Sequence, residues 1–201
     1  SHETVLELAN YADIPVINGL TDLLHPCQVL ADLQTIREHK GRLAGLKMAF
    51  IGDGNNMAHS LMNGGARMGM HVVIACPEGY QPDAQVLAAA EEAARESGGS
   101  VQVLADPMAA AAGADVIYTD VWASMGQESE KAEREKVFGG VYQVNEQLMA
   151  AANPSAMVLH CLPAHRGEEI TEDVFETHPE IFDEAENRLY AQMAVMALLL
   201  A

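Results

Sequence analysis

The groups in this sequence best placed to do chemistry fall in three short clusters, each beside an apolar run. They are His25-Pro26-Cys27-Gln28, the segment from Asp120 through Ser124-Met125-Gly126, and His160-Cys161-Leu162-Pro163. The third is the most telling. The strand-like run Met157-Val158-Leu159 stops abruptly at a thiol and a proline, and a strand ending this way presents polar groups at the carboxyl edge of a sheet, where open α/β sheets bind ligands. Three such clusters in one chain point to a composite site for a small polar molecule.

Each group has two readings. His25 and Gln28 lie about one turn apart around a helix-starting proline, so both can donate to a carbonyl or phosphate oxygen, or they can serve the helix start alone. Asp120 can hold a ligand ammonium group while the following glycine-containing loop holds a carboxylate through backbone N–H groups; it can also cap its own loop. Cys161 is either a nucleophile or a non-covalent substrate contact. His160 points away from it if the chain is extended. Arg188, just before the apolar run Met193 to Leu200, is a surface residue or points into a site. Gly52-Asp53-Gly54-Asn55-Asn56 suits a tight turn with a helix cap, an anion at the helix start, or a ligand contact by Asn56. Met57 stands where a dinucleotide fingerprint needs glycine, so no nicotinamide cofactor is indicated.

The elements that must position these groups alternate. Strands are expected at 48–51, 72–75, 101–104, 116–119 and 157–159. Helices are expected at 2–12, from Pro26 to Gly41, at 57–68, 83–97, 107–112, about 128–137, 145–151 and 184–200. Residues 15–18 read as a brief strand or extended segment, and Arg166, Glu168 and Glu169 as loop. The alternation predicts an α/β fold, a doubly wound parallel sheet of Rossmann-like three-layer form with flanking helices at both ends. Trp122 is expected to pack rather than stack on ligand.

Composition narrows the partners. The chain has 201 residues, 11 Lys and Arg against 29 Asp and Glu, and a formal net charge of −18. Nucleic acid is excluded as a natural partner, since phosphate binding needs clustered basic residues. Three dispersed cysteines make no disulfide framework and no zinc spacing, so no metal is expected and a reducing cytoplasm fits. There is no signal-peptide core, and the apolar run 193–201 is too short to span a bilayer.

The clusters taken in order, with Gly52 through Ser60 and Glu184-Ala185-Glu186-Asn187-Arg188, resemble the ornithine carbamoyltransferases over nearly the whole chain. The resemblance implies two α/β domains, one for carbamoyl phosphate and one for the amino acid, usually in trimers with sites between subunits. It implies transfer of a carbamoyl group from carbamoyl phosphate to the side-chain amine of ornithine, giving citrulline and phosphate without a cofactor. It implies that His25, Gln28 and Arg188 contact carbamoyl phosphate, and that Asn56, Asp120, Ser124 and Met125 bind ornithine. Cys161 would then lie near the attacking amine and Leu162 would offer its carbonyl to the carbamoyl amide, with Leu162-Pro163 cis. A transferase for another amine such as putrescine, and a non-catalytic amino-acid-binding module, are the alternatives.

The family's Ser-Thr-Arg-Thr-Arg phosphate motif is absent from the sequence. The amino-terminal carbamoyl-phosphate domain is therefore expected to be missing and the chain alone inactive. The expected division is 1–42 as connecting segment and helix, 43–180 as ornithine-binding domain, and 181–201 as a helix facing the missing domain. Val29, Leu33 and Ile36 are expected to share that outward surface with Met193 to Leu200.

Overall fold

The computed structural model describes residues 1–200 apart from 125 and 127. The expected Met125 contact lies outside the described residues. The described residues form one parallel five-stranded sheet from β1 (Lys47–Ile51), β2 (His71–Ala75), β3 (Ser100–Leu104), β4 (Val116–Thr119) and β5 (Met157–His160), in the spatial order β3-β2-β1-β4-β5. The chain winds outward from β1 to β3 and returns to place β4 beside β1. The order therefore reverses between β1 and β4, and a crevice opens outside their carboxyl ends. The Thr119 hydroxyl donates to the Ile51 carbonyl at 2.8 Å and ties those two ends together.

Near-continuous apolar strands are what a sheet covered on both faces requires. Met48, Phe50, Val72, Ile74, Val116, Tyr118 and Leu159 point into one core, with α2 (Pro26–Lys40), α3 (Asn56–Arg67) and α4 (Ala84–Ser97). Ala49, Ile51, Val73, Ile117 and Val158 point into the other, with α5 (Pro107–Ala111), α6 (Lys131–Phe138), α7 (Glu146–Met149) and α8 (Glu172–Thr177). Trp122 packs in that second core, its ring stacked on Phe138 with centroids 6.2 Å apart.

Two further helices frame the ends, α1 (His2–Tyr11) and α9 (Glu180–Leu200). No residue of α1 is buried. α9 lies along α2 and the edge strand β5. An edge strand leaves alternate N–H groups unpaired; here Val158 N–H donates to Glu180 and His160 N–H to Glu184, both at 2.9 Å. Two carboxylates one helical turn apart thus complete the edge of the sheet.

Three expectations need correction. α9 begins at Glu180, a turn before the expected start, and the short helix α8 was not foreseen. Residues 15–18, expected as a brief strand or an extended segment, lie outside every strand, which leaves the second of those readings. Val29, Leu33 and Ile36 are buried, not outward-facing, because α2 packs on α3. Gly64 permits that approach: a Cβ there would stand 2.4 Å from Val29 Cγ1. No helix among the described residues is long and apolar enough to cross a membrane.

Candidate active site

At the β1/β4 switch point lies a cavity of about 330 Å3 lined by His25, Asn55, Asn56, Asp120, Ser124, Cys161, Leu162 and others from the 20–22 segment. Six expected site residues therefore share one cavity although they come from four separate stretches of chain. Gln28 and Arg188 do not line it. They lie between α2 and α9 as a pair, the Arg188 guanidinium donating to Gln28 Oε1 at 2.5 Å.

His25 is the N-cap residue of α2, with Pro26 in the first turn. Its backbone N–H donates to the Ser60 hydroxyl at 2.7 Å, and its ring is buried, with Nδ1 lacking any hydrogen-bond partner among the described residues. Burial, helped by the Arg188 charge, lowers its pKa to about 4. The ring is therefore neutral near pH 7, with one N–H and one lone pair and no charge of its own.

Asp120 directly follows β4 and is loaded with donors. Its Oδ1 accepts from Val121 N–H at 2.8 Å and from the Cys161 thiol at 3.1 Å; its Oδ2 accepts from Asn55 Nδ2 at 3.0 Å. The loop-capping reading is thus met; Oδ1 has both lone pairs taken, and Oδ2 keeps one for a further donor. Burial pushes the Cys161 thiol well above its usual range, and the Asp120 carboxylate pushes it further. Cys161 is a protonated thiol, a hydrogen-bond donor rather than a nucleophile.

The turn after β5 is held from behind. Leu162, at φ 55°, donates its N–H to His160 Nδ1 at 2.9 Å, and His160 Nε2 meets the buried Glu169 carboxylate at 3.2 Å. His160 does not line the cavity, but the expectation that it points away from Cys161 is corrected. One of its ring nitrogens lies within 4.8 Å of Cys161 Sγ and of an Asp120 carboxylate oxygen, because the chain turns at Leu162 instead of staying extended. The Leu162-Pro163 bond is cis.

Two donor assignments change. Both amide hydrogens of Gln28 are taken by buried carboxyl groups, Asp32 and Glu184, each at 2.8 Å. Gln28 therefore offers only an acceptor oxygen toward a ligand. The start of α3 is not an anion cradle either, because the Asn55 side chain accepts from Met57 N–H at 2.9 Å and Ala58 N–H at 3.3 Å. Asn56 lines the cavity, its amide donating to the Thr21 carbonyl at 2.7 Å.

Asn55, Asp32 and Glu184 are the residues that sequence reasoning passed over. Asp32 did leave a signal: it is a carboxylate four residues after Gln28 on the otherwise apolar face of α2. Asn55 and Glu184 left none that separates them from a capping residue and a surface acid.

Comparison with known proteins agrees with this geometry. Residues 44–199 match the Asp/Orn binding domain of the aspartate/ornithine carbamoyltransferases, and residues 1–38 match the carbamoyl-P binding domain of the same family. The expectation that the carbamoyl-phosphate domain is missing is thereby corrected: α1 and most of α2 belong to it. The ornithine carbamoyltransferase of Symbiobacterium thermophilum is 59% identical over 100% of this chain and 65% of its own length. That of Thermococcus kodakarensis is 58% identical over 99% of this chain and 63% of its own. The solved ornithine carbamoyltransferase of Pyrococcus furiosus superimposes with a TM-score of 0.94 at 57% identity, covering 99% of this chain and 64% of that one. This chain thus spans somewhat less than two thirds of the length of the relatives it matches. With both domain models matched in order and the site assembled at the sheet's switch point, the chain belongs to the aspartate/ornithine carbamoyltransferase family.

Proposed function

We propose that this chain carries the acceptor site of an ornithine carbamoyltransferase, which moves the carbamoyl group of carbamoyl phosphate to the side-chain amine of ornithine. The observation that carries the reading is the shared cavity in which a neutral His25 faces the Asp120–Cys161 pair at the β1/β4 switch point. The acidic balance of the chain suits a cationic amino acid.

In this reading Asp120 holds a cationic nitrogen of ornithine, and Asn56, Ser124 and Met125 complete the amino-acid end. The free side-chain amine lies beside Cys161 and attacks the carbamoyl carbon. As the C–N bond forms, negative charge builds on the carbonyl oxygen. His25 stabilises it by donating a hydrogen bond, with the Arg188 charge close behind; a fixed donor of this kind is worth about 3–4 kcal/mol. Gln28 and the Leu162 carbonyl accept from the carbamoyl NH2. Collapse breaks the C–O bond to phosphate, and the departing phosphate takes the amine proton, so no strong protein base is needed. Holding both substrates in line supplies the remainder.

Residues 43–180 form the ornithine-binding part, while 1–42 and 181–201 bring the carbamoyl-phosphate contacts to it. The active assembly is a homo-oligomer, a trimer or a multiple of one. The test is the acceptor. With carbamoyl phosphate supplied, this chain joined to a family amino-terminal segment that carries the Ser-Thr-Arg-Thr-Arg motif should convert ornithine to citrulline and leave putrescine unchanged, since putrescine has no carboxylate for the loop at Ser124. The chain alone, which lacks that motif, should stay inactive. Carbamoylation of putrescine alone would overturn the reading.

A further inference from the structure

We propose that Asp32 and Glu184 are positioning residues for this site: together they lock the Gln28 amide in one orientation, and Glu184 also anchors the His160 end of the Cys161-Leu162 turn. The inference rests on the proposed carbamoyl transfer for its consequence, but not for its geometry.

Asp32, Glu184, Gln28 and Tyr118 are buried to 0, 0, 1 and 0% exposure between α2, α9 and β4. Gln28 Nε2 donates to Asp32 Oδ1 and to Glu184 Oε1, each at 2.8 Å, and the Tyr118 hydroxyl donates to the same Glu184 oxygen at 2.9 Å. With both amide hydrogens committed, the Gln28 oxygen must face Arg188. The other Glu184 oxygen, Oε2, accepts from His160 N–H at 2.9 Å. One carboxylate thus touches both halves of the site, the Gln28–Arg188 pair and the turn that carries Cys161 and Leu162.

Two carboxylates cannot both stay charged here. Burial raises the pKa of Asp32 well above its ordinary value, and the Glu184 charge raises it further. Asp32 Oδ2 has no hydrogen-bond partner among the described residues, which the carbonyl of a neutral acid tolerates better than a carboxylate oxygen does. Burial raises Glu184 as well, but hydrogen bonds from Asp32, His160 and Tyr118 pull it back, so Asp32 is the neutral member and Glu184 the ionised one, held by Gln28, Tyr118 and His160.

The chain labelled with 13C and 15N tests this in three arms. Near neutral pH one carboxyl of the pair should show a protonated carbon shift; two ionised signals would overturn the shared proton. The Gln28 side-chain amide should exchange slowly with solvent. Glu184→Gln has one oxygen where two are needed, so Gln28 exchange should rise about tenfold or more, and ornithine binding should weaken about fivefold or more. Asp32→Asn keeps an uncharged acceptor on Gln28 and should leave both within about twofold. Unchanged Gln28 exchange in folded Glu184→Gln would overturn the inference. If that variant does not fold, Asp32→Asn decides, since loss of Gln28 protection there contradicts a neutral Asp32. Failure of wild-type ornithine binding would instead sink the proposed function and leave the carboxyl and exchange arms standing.

Discussion

At the scale of single residues, function is set by which groups are left neutral. His25 loses its proton through burial and Cys161 keeps its own, so the cavity holds a neutral imidazole and a neutral thiol beside the Asp120 carboxylate. The first follows a definite pH law. The His25 pKa falls from 6.5 to about 4 on folding, so between those values the unfolded chain binds more protons. Stability from this group is complete above pH 6.5 and is lost as pH falls toward 4. His25→Gln should therefore lose less stability than wild type between about pH 7 and about pH 5, measured by urea unfolding; identical losses would show that the ring is not buried neutral. The second predicts chemical inertness. Iodoacetamide near neutral pH should label Cys161 at least about tenfold more slowly than a free thiol, read by mass spectrometry. Fast labelling would mean an activated thiolate. These neutral states were not legible in the sequence: the residue types were, but the ionisation depends on Arg188 and on burial that only the fold supplies.

At the scale of elements, the decisive contacts are between α9 and its neighbours. Glu180 takes Val158 N–H at 2.9 Å and the His178 ring at 2.8 Å, so the edge strand depends on it. Glu180→Ala leaves a buried N–H unpaired and should cost about 1–3 kcal/mol. Gly64→Ala drives a methyl against Val29 Cγ1 at 2.4 Å and Leu33 Cδ1 at 3.3 Å. Val29 is stiff in a helix, so α2 must shift, at about 1–3 kcal/mol. Thermal or urea unfolding of the two variants checks both values, and neutral effects would contradict the packing described. The strands and most helices were readable because hydrophobic period alternates cleanly along the chain. The helix Glu172–Thr177 was not, because Val174 and Phe175 alone give it no period to detect. The buried faces of Val29, Leu33 and Ile36 were visible as a stripe, but a stripe does not name its partner; Gly64 on α3 does.

At the scale of the whole molecule, one sheet gathers residues from positions 25 to 162 into one crevice, and α2 with α9 holds Gln28 and Arg188, 160 residues apart, as a pair outside its lining. The placement of two clusters at strand ends was legible, because Asp120 and Cys161 each follow an apolar run; the His25 cluster instead opens α2 with no strand before it. The pairing of Asp32 with Glu184 was not, since nothing local relates them. The central claim is that this crevice binds ornithine through Asp120. Calorimetric titration of the chain with L-ornithine, repeated with Asp120→Asn and with putrescine, tests it most directly. The account predicts one ornithine per chain, binding weakened about tenfold or more by Asp120→Asn, ~1.4 kcal/mol, and weaker binding of putrescine than of ornithine. Ornithine binding that is untouched by Asp120→Asn, or matched by putrescine, would contradict it.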